Sequence, residues 1–225
     1  MANNNKNPIK TGATRKALLE ASYALFTQKN IESVSMSEAA EAAGYGVATM
    51  YRYFKTKPEL VVAVAVWKFE ELMELNRRRR PSPNFEGMTA AQVLSYYFDV
   101  FLNLYRDHRD ALRFNQSFNI FIRSQQISAE MILPFRGLVR KIGEQFQVIT
   151  EKAALDGTVR TDVPGEKMFR TTLHLMLAVV TRYAVGLIYQ PESEEETLEE
   201  LETLKYALLR QYVTDAEFPI PLKID

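Results

Sequence analysis

The stretch Ser35–Phe54, SMSEAAEAAGYGVATMYRYF, decides the fold. It opens on Ser35, a hydroxyl residue suited to an N-cap, and Glu38 three positions on completes a capping box. A short helix runs from there to about Ala43, and Gly44 can take the positive φ that stops it. A second short helix fits Val47–Phe54. Two brief helices joined by Gly44-Tyr45-Gly46 follow the helix–turn–helix plan. Ala39, Ala40 and Ala43 fall on the inner face of the first helix, where small side chains let the second come close. Met50 and Phe54 are four apart and face the core. Val47, Ala48, Thr49, Tyr51, Arg52 and Tyr53 are left more outward. Such residues can touch thymine methyls, base edges and phosphates. Lys55 and Lys57 follow at the start of the next helix, and a helix N-terminus attracts anions.

Outward from this stretch, the chain continues as punctuated helices. Thr14–Gln28 carries one apolar stripe (Ala17, Leu18, Ala21, Leu25, Phe26), and Asn30 suits a left-handed terminator. Pro58 belongs to the first turn of a helix that runs to the four arginines before Pro81. Pro81–Met88 reads as a linker. Thr89-Ala-Ala-Gln92 is a second capping box, opening a helix to about Tyr105, and another helix covers Asp110–Ser124. Ser128–Leu155 reads as one helix ended by Gly157, with Pro134 moving its start toward Leu133. Pro164 opens an apolar helix to about Tyr189, and Ser193-Glu-Glu-Glu196 caps a last one over Glu194–Tyr212. With no strand alternation and no internal repeat, the expected class is all-α, with about nine helices.

Composition narrows the chemistry. Of 225 residues, 47% are apolar, enough for a sizeable core, and the chain contains no cysteine. Disulfides, thiolate zinc sites and cysteine nucleophiles are therefore excluded. Two histidines, His108 and His174, are too few for a multi-histidine metal centre. No Gly-rich phosphate loop, catalytic carboxylate pair, metal spacing or G-x-S-x-G elbow is present, so neither an enzyme nor a cofactor is expected. The net charge is zero, yet residues 1–57 hold eight cations against four acids, and the other 168 residues carry the compensating excess of four acids. Met1–Lys10 is polar, lacks a secretory signal's apolar region and reads as a mobile tail, so a cytoplasmic protein is expected. The longest apolar run, Leu173–Tyr189, is short for a membrane span, and His174 and Arg182 interrupt it.

With these residues in view, Thr14–Lys57 resembles the DNA-binding domain of the TetR family of bacterial transcriptional regulators. The stretches that carry the likeness are LFTQKNIESVSMSEAAEAAG (Leu25–Gly44) and ATMYRYFKTKPEL (Ala48–Leu60). Beyond Val62 it rests on length, helical character and two strong C-terminal helices. The resemblance implies a DNA-binding domain over 1–57 and a ligand-binding and dimerisation domain over 58–225. It implies that Ser35 contacts phosphate and that Ser37 reaches a base or phosphate. Val47, Ala48 and Thr49 would form the leading turn of the recognition helix. Tyr51 and Tyr53 would be the aromatic pair touching phosphate and groove, and Lys57 a phosphate-binding lysine. Arg52 and Lys55 add cations to this surface. One departure is Gly46, where the family commonly has a small polar or acidic cap; glycine caps more weakly.

The aromatic-rich remainder is where a largely apolar small-molecule effector would bind, with polar groups to orient it. Phe98, Phe101, Arg113, Phe114, Asn115, Phe118, Asn119 and His174 are the candidates, and each aromatic among them is equally a candidate for plain core. The last two helices would pair with their copies in a homodimer, with Leu177, Val180, Leu201, Leu204 and Leu208 as interface candidates. The expected function is a ligand-responsive regulator, a repressor released from a palindromic double-stranded DNA operator. The alternative is a helical small-molecule-binding or protein-interaction module whose helix–turn–helix no longer binds DNA.

Overall fold

In the computed structural model, residues 8–79, 85–144, 146–186, 189 and 193–214 are described. They form ten α-helices: α1 (Pro8–Gln28), α2 (Met36–Ala42), α3 (Val47–Tyr53), α4 (Lys57–Arg79), α5 (Ala90–Asp107), α6 (Arg109–Ser124), α7 (Leu133–Glu144), α8 (Gln147–Asp156), α9 (Gly165–Val185) and α10 (Glu194–Leu209). Short 3₁₀ turns lie at Ile31–Ser33 and Phe85–Gly87.

Four helices start where a side chain satisfies one of their first amides. The Glu38 amide donates to Ser35 Oγ at 3.1 Å, and the Glu196 amide to Ser193 Oγ at 3.1 Å. At α5 the box is reciprocal: the Gln92 amide donates to Thr89 Oγ1 (3.2 Å) and the Thr89 amide to Gln92 Oε1 (3.0 Å). At α4 the Glu59 amide donates to Thr56 Oγ1 (3.3 Å), while the Glu59 carboxylate accepts from the Lys55 amide (2.8 Å).

Four boundaries differ from the sequence expectations. The helix expected over Ser128–Leu155 is two helices, α7 and α8, which raises the expected nine to ten. Its interruption places Phe146 between Tyr97 (ring centroids 4.9 Å) and Phe169 (5.0 Å), 4% exposed. Burying that ring outweighs a continued hydrogen-bond ladder. Gly143 is part of the same packing, because a Cβ there would lie 2.8 Å from the Phe169 ring. The α9 helix stops at Val185 rather than Tyr189, since Gly186 has φ +112. The last helix stops at Leu209 because the chain beyond it pairs with 158–160: Arg160 N–H to Tyr212 C=O (2.8 Å) and Thr214 N–H to Thr158 C=O (3.0 Å). The first helix starts at Pro8, six residues before Thr14, so Pro8–Lys10 of the expected tail already belong to α1. Residues 1–7 of that tail, 81–84 of the expected linker, and 187–188 and 215–225 lie outside the described residues.

Packing divides the chain into two units, and it cuts differently from the function-based division at residue 57. One unit comprises Met1–Arg78 with Arg113–Leu138; the other comprises Arg79–Leu112 with Val139–Asp225. The core of the first is built from Leu18, Leu19, Phe26, Ile31, Met50, Phe54, Leu60, Phe114 and Phe118 among others. Tyr23 meets Phe114 edge-on at 5.2 Å, and Phe118 lies 4.9 Å from Phe135. In the second unit α5 packs against α8, α9 and α10. Its first two amides are capped from far along the chain: Ala90 N–H by Asp156 Oδ2 (2.7 Å) and Ala91 N–H by Thr158 Oγ1 (3.1 Å). The nearly buried Lys205 of α10 donates to Asp99 of α5, and Tyr183 of α9 donates to Glu200 of α10. That carboxylate bond is the largest reason the Tyr183 phenol is pushed up to about 12. Among the described residues no helix is long and apolar enough to cross a membrane.

Candidate nucleic-acid interface

The surface is built from the inside out. Ala39 and Ala40 of α2 are buried, as are Met50 of α3 and Phe54 directly after it, which anchor the helix to the first unit's core. The turn between α2 and α3 closes as a paired glycine cap: Tyr45 N–H donates to Ala40 C=O and Gly44 N–H to Glu41 C=O, both at 2.9 Å. This geometry needs Gly44 at φ +75. A Cβ at Gly44 would meet nothing within 4 Å, so Gly44→Ala carries a backbone penalty without a clash. We expect it to cost about 1–2 kcal/mol, read as a lower urea midpoint. An unchanged midpoint would show that the turn does not depend on the left-handed conformation.

With Met50 and Phe54 pinned inward, the leading turn and the outer side of α3 are presented to solvent. Val47 is 41% exposed and Tyr51 50%; Ala48 and Arg52 are also exposed, while Thr49 is half-buried. Val47 and Tyr51, and Ala48 and Arg52, are each four apart and so neighbours along that face. Gly46 caps α3 with its carbonyl and no side chain, accepting from Thr49 N–H at 2.8 Å. Ser35 and Ser37 are exposed at the start of α2. Lys55 is exposed in the turn between α3 and α4.

Two expected contacts are placed differently from their neighbours. Tyr53 is half-buried: it lies next to the Met50 face of the helix, and its hydroxyl donates to Thr11 C=O at 3.3 Å. The Arg52 guanidinium sits 5.4 Å from the Tyr53 ring centre. Lys57 is half-buried at the start of α4, where its ammonium donates to Glu32 C=O (2.8 Å) and lies 5.7 Å from the Phe121 ring centre. Burial holds that ammonium below the ordinary lysine range, and the Glu32 carboxylate works against the shift. At the base of α2, Glu38 pairs with Lys29, and this bond leads the causes that hold the Glu38 carboxyl below its usual range.

Several supporting residues escaped the sequence reading. Arg15 of α1 places its guanidinium 5.5 Å from the Phe54 ring centre, and Thr11 receives Tyr53. Neither has a local sequence signal, because both contacts are long-range. Thr56 and Glu59 are different. Their T-x-x-E spacing is a capping-box pattern that could have located the start of α4.

The candidates for effector binding fall in both units. Phe114, Asn115 and Phe118 lie along the buried side of α6 in the first, while Arg113 and Asn119 are exposed; Asn119 donates to Asn115 C=O at 2.9 Å. In the second unit Phe98 is fully buried, Phe101 is half-buried and His174 is exposed. Of the interface candidates, Val180 and Leu201 are fully buried in the second unit's own core; Leu177, Leu204 and Leu208 are half-buried against it.

Residues 18–64 match the family model of the bacterial regulatory proteins, tetR family. Over 58 residues the chain is 40% identical to the HTH-type transcriptional repressor KstR of Rhodococcus jostii, covering 26% of this chain and 27% of that protein. The chain thus spans about a quarter of the length of this curated relative. Solved structures are similar over nearly the whole chain at low identity, which bears on the fold alone. A tetR-family regulatory protein from Rhodococcus RHA1 has a TM-score of 0.66 at 17% identity, covering 90% of this chain and 98% of that one. The fatty acid degradation regulator FadR of Bacillus halodurans has a TM-score of 0.62 at 15% identity, covering 91% and 96%.

Proposed function

We propose, from the match of residues 18–64 to the tetR family of bacterial regulatory proteins, that the chain is a TetR-type homodimeric, ligand-responsive repressor that occupies a roughly palindromic DNA operator. The observation that carries this reading is the outward surface of α3, fixed in that orientation by Met50 and Phe54 buried in the core beneath it. The excess of four cations in residues 1–57 supports it, since phosphate neutralisation supplies much of duplex affinity. The family is one of transcriptional regulators rather than enzymes. The Rhodococcus jostii relative is a transcriptional repressor, which supports the same sign of control here. The protein would act in the cytoplasm, with residues 1–57 contacting DNA and 58–225 sensing and pairing.

In this reading α9 and α10 pair with their copies, and two recognition helices enter successive major grooves. The exposed α9 face offers Leu175, Ala178 and Val185 for that pairing, so Val180 and Leu201 serve it from beneath. A largely apolar effector held by the aromatic interior would shift the spacing of the heads. Its leverage is its difference in affinity between the two states.

Selection of bound sequences from a random DNA pool tests the proposal. Enrichment of a two-fold symmetric site is the expected result, and no enrichment would overturn it. At that site Lys57→Ala should flatten the salt dependence of log affinity by about one unit of slope, with weaker binding to every sequence. An unchanged slope would leave Lys57 wholly with the Glu32 carbonyl.

A further inference from the structure

We propose that this protein reads the methyl groups of thymine, and that Val47 with Ala48 are the residues that do so. The inference rests on the DNA-binding reading of α3 and adds to it the class of base edge recognised. In a helix–turn–helix the first residues of the recognition helix meet the base edges. Here those positions are Val47 and Ala48, both exposed and neither carrying a hydrogen-bonding side chain. The cap before them, Gly46, has no side chain either. Thr49 is half-buried on the flank.

The orientation is fixed rather than adjustable. Met50 at 0% and Phe54 at 2% exposure pin the helix about its axis, so a polar residue from the inner face cannot rotate outward. The polar groups of the same face, Tyr51 and Arg52, come one turn later, and the Arg52 guanidinium is drawn over the Tyr53 ring at 5.4 Å. An aliphatic surface gains nothing from the acceptors of guanine or the amino group of cytosine, and it desolvates them without a partner. The thymine C5 methyl is the major-groove feature it can cover favourably. Charge brings the duplex to this face through Lys55 and Arg52, both exposed beside it. The apolar pair then discriminates among sequences.

The probe is the site enriched from the random pool, with each thymine replaced in turn by deoxyuridine, which removes only the methyl. Binding is read by fluorescence anisotropy. Burial of one methyl predicts about a fourfold loss at one or two positions per half-site, and about fifteenfold when both half-sites of a dimer site are changed. In the Val47→Ala protein the loss should vanish at one of these positions. Val47 is a surface residue, so this variant is expected to fold. If a sequence is enriched but every uracil site binds as tightly as its thymine parent, the methyl proposal fails while the DNA-binding reading stands. If no sequence is enriched, the DNA-binding reading fails and takes this proposal with it.

Discussion

Replacing Val47 and Thr49 together by glutamate is expected to abolish operator binding while leaving the folded dimer intact. The two positions lie in the leading turn of α3, one 41% exposed and the other half-buried, and neither belongs to the buried pair Met50 and Phe54. Two carboxylates there would face the phosphate-rich groove without a partner, and the apolar contact of Val47 would be lost as well. At about 1–3 kcal/mol for each carboxylate desolvated against the duplex without a partner, affinity should fall by roughly 30-fold to 10⁴-fold, and the lost Val47 contact adds to it. A gel-shift assay on the selected operator measures it, with sedimentation confirming an unchanged mass. Undiminished binding would remove α3 from the DNA interface.

Phe114→Ala should destabilise the first unit by about 3–5 kcal/mol, the usual cost of emptying a buried phenylalanine site. Phe114 is 1% exposed and packs edge-on against Tyr23 at 5.2 Å, near-parallel to Phe118 at 6.2 Å and Phe26 at 6.5 Å. The protein carries a single tryptophan, Trp67, whose ring lies 6.1 Å from that of Tyr23, so its fluorescence reports on this core. The expected observation is a clearly lower urea midpoint for the tryptophan signal. If Phe114 serves only as a wall for an effector, the midpoint will not move.

The contrast between these two residues shows what was legible in the sequence. Val47 could be placed by counting, because the Gly44–Gly46 turn announces where α3 begins and Val47 is its first residue, a local fact. The same holds for Ser35, Gly44, Thr89 and Ser193, which announce helix ends through short-range chemistry. Phe114 could not be placed in that way. Its spacing marks it as inward-facing, but nothing nearby says that α6 shares a core with α1. The helix break at Phe146 was missed for the same reason: the ring's partners Tyr97 and Phe169 are remote in sequence, and packing against them outweighs local helical preference. Lys57 has the residue type for phosphate, yet its ammonium lies on the Glu32 carbonyl, a contact 25 residues back along the chain.

The remote capping of α5 has a consequence for the order in which the chain can become structured. Ala90 and Ala91 receive their acceptors from Asp156 and Thr158, 66 and 67 residues downstream, and Thr158 is in turn tied to Thr214. During synthesis from the N-terminus, the Thr89–Gln92 box can start α5 at once, but two of its amides must stay with water until the end of α8 has emerged. The strap onto Thr214 waits for the end of α10. Closure of this unit is therefore a late event that pays its loop entropy before its contacts form.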